Sequence, residues 1–177
     1  MLAYILVLCA VAVRFLPHPW SFTPIVAALL FFGARGPRKH WWAPLVLLAV
    51  ADVILTKFNY AYIITWDQFV TWGWYAAVLW LGTRLGRQPK MLYVIVSALA
   101  SSVSFFLISN FTTWAAWTDM YPRTWAGLMT CYAAGIPFFR RALEGDLVFT
   151  VAAFAAPLAI QAVSHAMENT GDHGAAA

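Results

Sequence analysis

The feature that most constrains this chain is a succession of apolar segments too poor in charge to make a water-facing surface. Six can be laid out: Leu2–Leu16, Thr23–Ala34, Trp41–Thr56, Gln68–Thr83, Met91–Ser109 and Leu147–Val163. Hydrophobic residues make up 63% of the chain and charged residues 10%, against roughly 45–50% and about 25% in soluble domains. In lipid every backbone polar group must be satisfied within the segment, which selects helices. The sequence therefore predicts an all-α fold: an integral membrane bundle of about six transmembrane helices, with no separate soluble domain. Residues 1–165 are expected to form this single domain, and 166–177 a polar, disordered tail.

Several segments are short. At 1.5 Å per residue they reach only about 18–24 Å, so they must draw on flanking aromatics or a locally thinned bilayer. Pro17, Pro19 and Pro24, then Gly33, Gly36 and Pro37, then Gly86 and Pro89 mark tight joints between antiparallel neighbours. The opening MLAYILVLCAVAVRFL has no basic n-region and no small-residue cleavage site, so it reads as a retained first helix. The loop with Arg35, Arg38 and Lys39 and the loop with Arg84, Arg87 and Lys90 contain no acid. Basic loops face the cytoplasm, which orients the bundle with both termini inside. Cys9 and Cys131 lie in apolar segments without a metal or redox spacing and read as buried thiols. Trp20, Trp41, Trp42, Trp66 and Trp114 fall near the proposed helix ends, where an indole suits the headgroup region.

Ionisable side chains inside spans cost roughly 2.5–3.5 kcal/mol each on insertion scales, so their positions carry information. Arg14 near the end of the first helix and Asp52 in the third reach a similar depth in the outer half, where each can neutralise the other. Lys57 is a second possible partner for Asp52. Asn110 and Asp146 fall at the outer ends of the fifth and sixth helices. A buried ion network of Arg14, Asp52, Asp146 and one of Arg140 or Arg141 is the structural alternative to a binding site here. Asp146, after Glu144 and Gly145, also suits the start of a helix. The run SALASSVS from Ser97 to Ser104 has the small-residue spacing of close helix contacts.

The stretch Asn110–Asp146 is the part that hydropathy does not place. Thr124–Phe139 is apolar but interrupted by Gly127, Gly135 and Pro137. It is expected to be a lid or re-entrant helix between the fifth and sixth spans, capping a cavity at the outer mouth; the alternative is a seventh span. Trp114, Trp117, Tyr121, Trp125 and Tyr132 are placed to stack on a planar ligand, and Arg123 to hold an anionic group. No HExxH, GxSxG, P-loop or dinucleotide fingerprint occurs in its proper context, so neither an enzyme nor a metal site is expected. The candidate ligand-binding residues are Arg14, His18, Asp52, Lys57, Asn110, Trp114, Tyr121, Arg123, Tyr132, Arg140 and Asp146.

RFLPHPWSFTP (Arg14 to Pro24), Asp52, SSVSFFLISNF (Ser101 to Phe111) and MYPRTWAGLMTCYAAGIPFFRRALEGDLVFT (Met120 to Thr150) together resemble an uncharacterised bacterial family, domain-of-unknown-function family 6580. Its members are described as similar to the S components of energy-coupling-factor transporters. The resemblance implies a six-helix bundle in the bacterial cytoplasmic membrane. It would take a vitamin-like or metal-containing solute from outside and pass it inward with a separate energising ATPase module. The first helix shows no clear AxxxA-type face, through which S components usually dock. The competing expectation is a structural subunit of a larger respiratory or photosynthetic membrane complex without transport activity. Neither reading involves nucleic acid, and neither identifies a cofactor.

Overall fold

The computed structural model describes residues 1–16, 22–59, 63–117 and 119–174, except the side chains of 158 and 161–174. The described chain is all-helical, with six α-helices: α1 (Leu2–Val13), α2 (Ile25–Arg35), α3 (Trp42–Ile54), α4 (Asp67–Leu85), α5 (Met91–Ala116) and α6 (Trp125–Gly174). A 3-10 turn, Arg38–His40, leads into α3, and a π-helical segment, Leu55–Asn59, continues it.

The contacts fix an alternating arrangement. Tyr4 stacks edge-on to Phe32 at 5.3 Å, Arg14 meets Asp52, Trp74 bonds Ser104 and Ser102 bonds Asp146. These pairs set α1, α3 and α5 running one way and α2, α4 and α6 the other. The two basic loops therefore share one end of the bundle, and Tyr4, near the start of α1, meets His40 at that end.

The central helix is α2. Every residue from Val26 to Ala34 is buried, as a helix that is apolar all round requires. With 11 residues it rises only about 16 Å, roughly half the height of α5. It crosses α4 where Gly33 and Gly82 face one another. A Cβ on Gly82 would sit 2.9 Å from the Leu30 Cα, and one on Gly33 3.0 Å from the Gly82 Cα. The two backbones are in direct contact, the arrangement that small residues permit between apolar helices.

The separate lid is corrected. Residues 125–139 of that stretch and Leu147–Val163 belong to one helix, the 50-residue α6, with Pro137 and Pro157 inside it. It packs antiparallel against α5. The glycines that looked like interruptions are points of close approach: a Cβ at Gly127 would meet the Pro122 carbonyl and one at Gly135 the Asn110 side chain, while one at Gly145, expected just before a helix start, would lie 3.0 Å from the Phe22 ring. A proline ends a helix in water, but neighbouring helices compensate its missing hydrogen bond in an apolar setting. The helical backbone runs on through Glu168 to Gly174, the stretch expected to be a disordered tail.

α5 extends to Ala116, beyond the Ser109 expected from hydropathy. Asn110 Nδ2 donates to the Phe106 carbonyl at 2.8 Å, and the Thr112 hydroxyl to the Ile108 carbonyl at 2.9 Å. These polar side chains are absorbed by their own helix. Ser97, Ala98, Ser101 and Ser102 are buried, in keeping with the small-residue run. Cys131 is buried, but Cys9 is exposed, against the expectation of two buried thiols.

Replacing Gly82 by Ala is expected to lower stability by about 1–3 kcal/mol, because backbone rather than a mobile side chain occupies the space. A Cβ added at Gly73, also in α4, would have nothing within 4 Å, so Gly73→Ala should be neutral or raise stability by up to about 1 kcal/mol. Thermal melting of the two purified variants beside the wild type checks the contrast.

Candidate functional site

α2 begins at Ile25, and among the described residues no helix continues its axis beyond that end. A cavity of about 270 Å³ lies there, with Thr23, Ile25 and Val26 at its base. α4 contributes Trp74 and Tyr75, α5 contributes Ser102, Phe105, Phe106, Ser109 and Asn110, and α6 contributes Gly135, Phe138, Phe139, Ala142 and Asp146. The wall is mainly aromatic. Its polar groups are hydroxyls, one amide and one carboxylate.

The carboxylate is buried, with 7% of its residue surface exposed. Ser102 Oγ donates to Asp146 Oδ2 at 2.7 Å and also bonds back to the Ala98 carbonyl at 3.0 Å. The sequence suggested Asp146 at a helix start, but it stands well inside α6. Its role is set by the face it occupies and not by a helix terminus. Asn110 lines the same cavity, its main-chain carbonyl receiving Cys131 Sγ at 3.3 Å.

Beside the cavity lies a second buried charge centre. Arg14 Nη2 meets Asp52 Oδ1 at 2.5 Å, with side-chain exposures of 17% and 4%. Trp72 Nε1 donates to Asp52 Oδ2 at 2.9 Å, and the Tyr75 hydroxyl to Asp52 Oδ1 at 3.5 Å. The expected Arg14–Asp52 pair is therefore present and further saturated from α4. Tyr75 joins the two regions, since the same residue lines the cavity. Lys57 is exposed on the π-helical segment, and the hydrogen bonds to Asp52 come from Trp72 and Tyr75 instead.

The remaining candidates fall elsewhere. Trp114 Nε1 donates to the Pro122 carbonyl at 3.0 Å, and Arg123 lies over the Trp114 ring at 5.3 Å while donating to the Ala115 carbonyl. These residues clamp the α5–α6 connection. Tyr132 donates to the Leu107 carbonyl at 2.9 Å, Trp125 is exposed, and neither these nor Tyr121 lines the cavity. Arg140 and Glu144 pair at 3.3 Å on an exposed face of α6, so the four-residue ion network with Asp146 does not form. Arg141 is exposed. His18 lies outside the described residues.

Of the expected set, Asn110 and Asp146 reach the cavity wall. Sequence reasoning missed Trp74, Tyr75, Ser102 and the phenylalanines of α5 and α6. Ser102 carried a signal as part of the small-residue run; the aromatics carried none that separated them from ordinary apolar packing.

The model of a family of unknown function, DUF6580, matches residues 1–167. This chain belongs to that family. No curated protein and no solved structure matches it.

Removing Arg14 takes the cation from the buried Asp52 carboxylate, and removing Asp52 takes that carboxylate from the Arg14 guanidinium. Arg14→Ala and Asp52→Ala should each cost about 3–5 kcal/mol. The double variant should lose clearly less than the sum, and a double-mutant cycle on unfolding free energies measures the difference.

Proposed function

We propose that this protein is a small multi-pass subunit of the bacterial cytoplasmic membrane that binds a vitamin-like or metal-containing solute for uptake. In this it would resemble the S components of energy-coupling-factor transporters. The observation that carries the reading is the cavity beyond the start of α2, aromatic-walled and holding a buried carboxylate. A concave apolar site with a few convergent polar groups is the general form of a small-molecule site, and an ionisable residue inside a membrane bundle is a functional group by default.

Membrane residence rests on length, composition and exposure. Arg38–Asn59, with 22 residues and mean hydropathy 1.6, and Met91–Ala116, with 26 residues and mean hydropathy 2.2, are long and apolar enough to cross a bilayer. Only 28% of the apolar stretch in each is buried, whereas the core helix of a soluble protein would be mostly covered. Trp80, Leu92, Val96 and Leu107 are among the large apolar residues left exposed. The gathering of Arg35, Arg38, Lys39, Arg84, Arg87 and Lys90 at one end supports a cytoplasmic face there.

One observation favours the second reading, a structural subunit of a larger membrane complex. Arg140, Arg141 and Glu144 are exposed on α6 alongside the middle of α5, as the Phe106–Phe139 contact at 4.7 Å shows. Lipid would penalise charges at that level, and a neighbouring protein would cover them.

Gentle solubilisation from native membranes followed by mass spectrometry separates the readings. Recovery of a bound small solute or an ATPase module supports uptake; stoichiometric recovery in a large complex without solute overturns it. In the proposed orientation, a cysteine placed at Lys90 should react with an impermeant thiol reagent only from the cytoplasmic side, and one at Met120 only from outside.

A further inference from the structure

We infer that the solute held in the α2–α4–α5–α6 cavity is a monovalent organic cation with an apolar or aromatic body, and that Asp146 is its counter-ion. The inference rests on the reading of this cavity as a solute site and goes further by assigning the ligand's charge.

The charge inventory of the cavity is one-sided. Among the described residues that line the cavity, Asp146 is the single carboxylate and none is an Arg, Lys or His. Among the described residues, the salt bridges join Arg14 to Asp52 and Arg140 to Glu144, and neither reaches Asp146. The half-buried guanidinium of Arg14 is engaged by Asp52. Asp146 has its Ser102 hydrogen bond at 2.7 Å, which neutralises no charge. A buried carboxylate is normally paired with a cation, and here the cavity is where one can stand.

The walls favour the same class of ligand. Trp74, Phe105, Phe106 and Phe139 present aromatic rings around the space. The negative ring faces attract cations, most of all desolvated quaternary or alkylated ammonium groups. The opposing element is the N-terminal end of α2 at the base, whose macrodipole favours an anion. That end carries about half an elementary charge, in partial form, against the full charge of the carboxylate. A cation standing beside Asp146 holds it ionised, and its unit charge then outweighs that end.

Three probes of nearly equal shape test this with the full chain in detergent or nanodiscs: phenyltrimethylammonium, the neutral isostere tert-butylbenzene, and benzenesulfonate. Calorimetric titration should show the cation binding at least about tenfold more tightly than the other two. Asp146→Asn should abolish that preference, and Asp146→Glu should keep most of it. Should Asp146→Asn fail to fold, as judged by size exclusion and melting, the probe ranking in the wild type and in Asp146→Glu still decides. Equal binding of cation and neutral isostere, or a preference for the sulfonate, overturns the cation assignment and leaves the solute site standing. Binding of none of the three to the folded wild type overturns both.

Discussion

The structure depends on a central helix that is too short for the bundle around it. α2 is buried along nearly its whole length, and its contact with α4 is backbone on backbone at Gly33 and Gly82. Such a contact locks the height of α2 against α4, because no side chain intervenes that could slide or change rotamer. α5 is more than twice as long, and beyond the start of α2 the described residues of the surrounding helices line a space that they do not fill. Pro24 sets where that space begins. As the residue before Ile25 it lies at the helix start, where a missing N–H costs nothing.

Around this space the two buried acids are treated differently. Asp52 receives a guanidinium, an indole N–H and a phenol hydroxyl, a degree of satisfaction that makes it a structural centre joining α1, α3 and α4. Asp146 receives one serine hydroxyl and looks into the cavity. Saturated polar networks fix a core, whereas an incompletely matched charge beside open space is a place for something else to bind. Tyr75, bonded to one acid and lining the space near the other, links the two regions through α4.

The α5–α6 hairpin shows how tertiary contact overrides local punctuation. Gly127, Gly135, Pro137 and Gly145 would break a helix judged by its own residues. Each glycine instead lies where another part of the chain comes too close for a side chain: the Pro122 carbonyl, the Asn110 amide and the Phe22 ring. The residues at the turn between α5 and α6 are used locally, with Trp114 bonding the Pro122 carbonyl and Arg123 the Ala115 carbonyl at the end of α5.

The sequence by itself determined the all-helical class, the positions of the first four helices to within a few residues and the start of the fifth, the clustering of basic loops and the Arg14–Asp52 pair. These follow from local hydropathy, from the cost of lone charges in an apolar setting and from the periodicity that brings such charges to one depth. Only the tertiary structure decided that α6 is continuous, that Trp114, Tyr121, Arg123 and Tyr132 stand apart from the cavity, and that Trp74, Tyr75 and Ser102 stand at it. Continuity of a helix through glycine and proline depends on what packs against it. Cavity walls are chosen by the relative heights of neighbouring helices, a quantity that no single segment encodes.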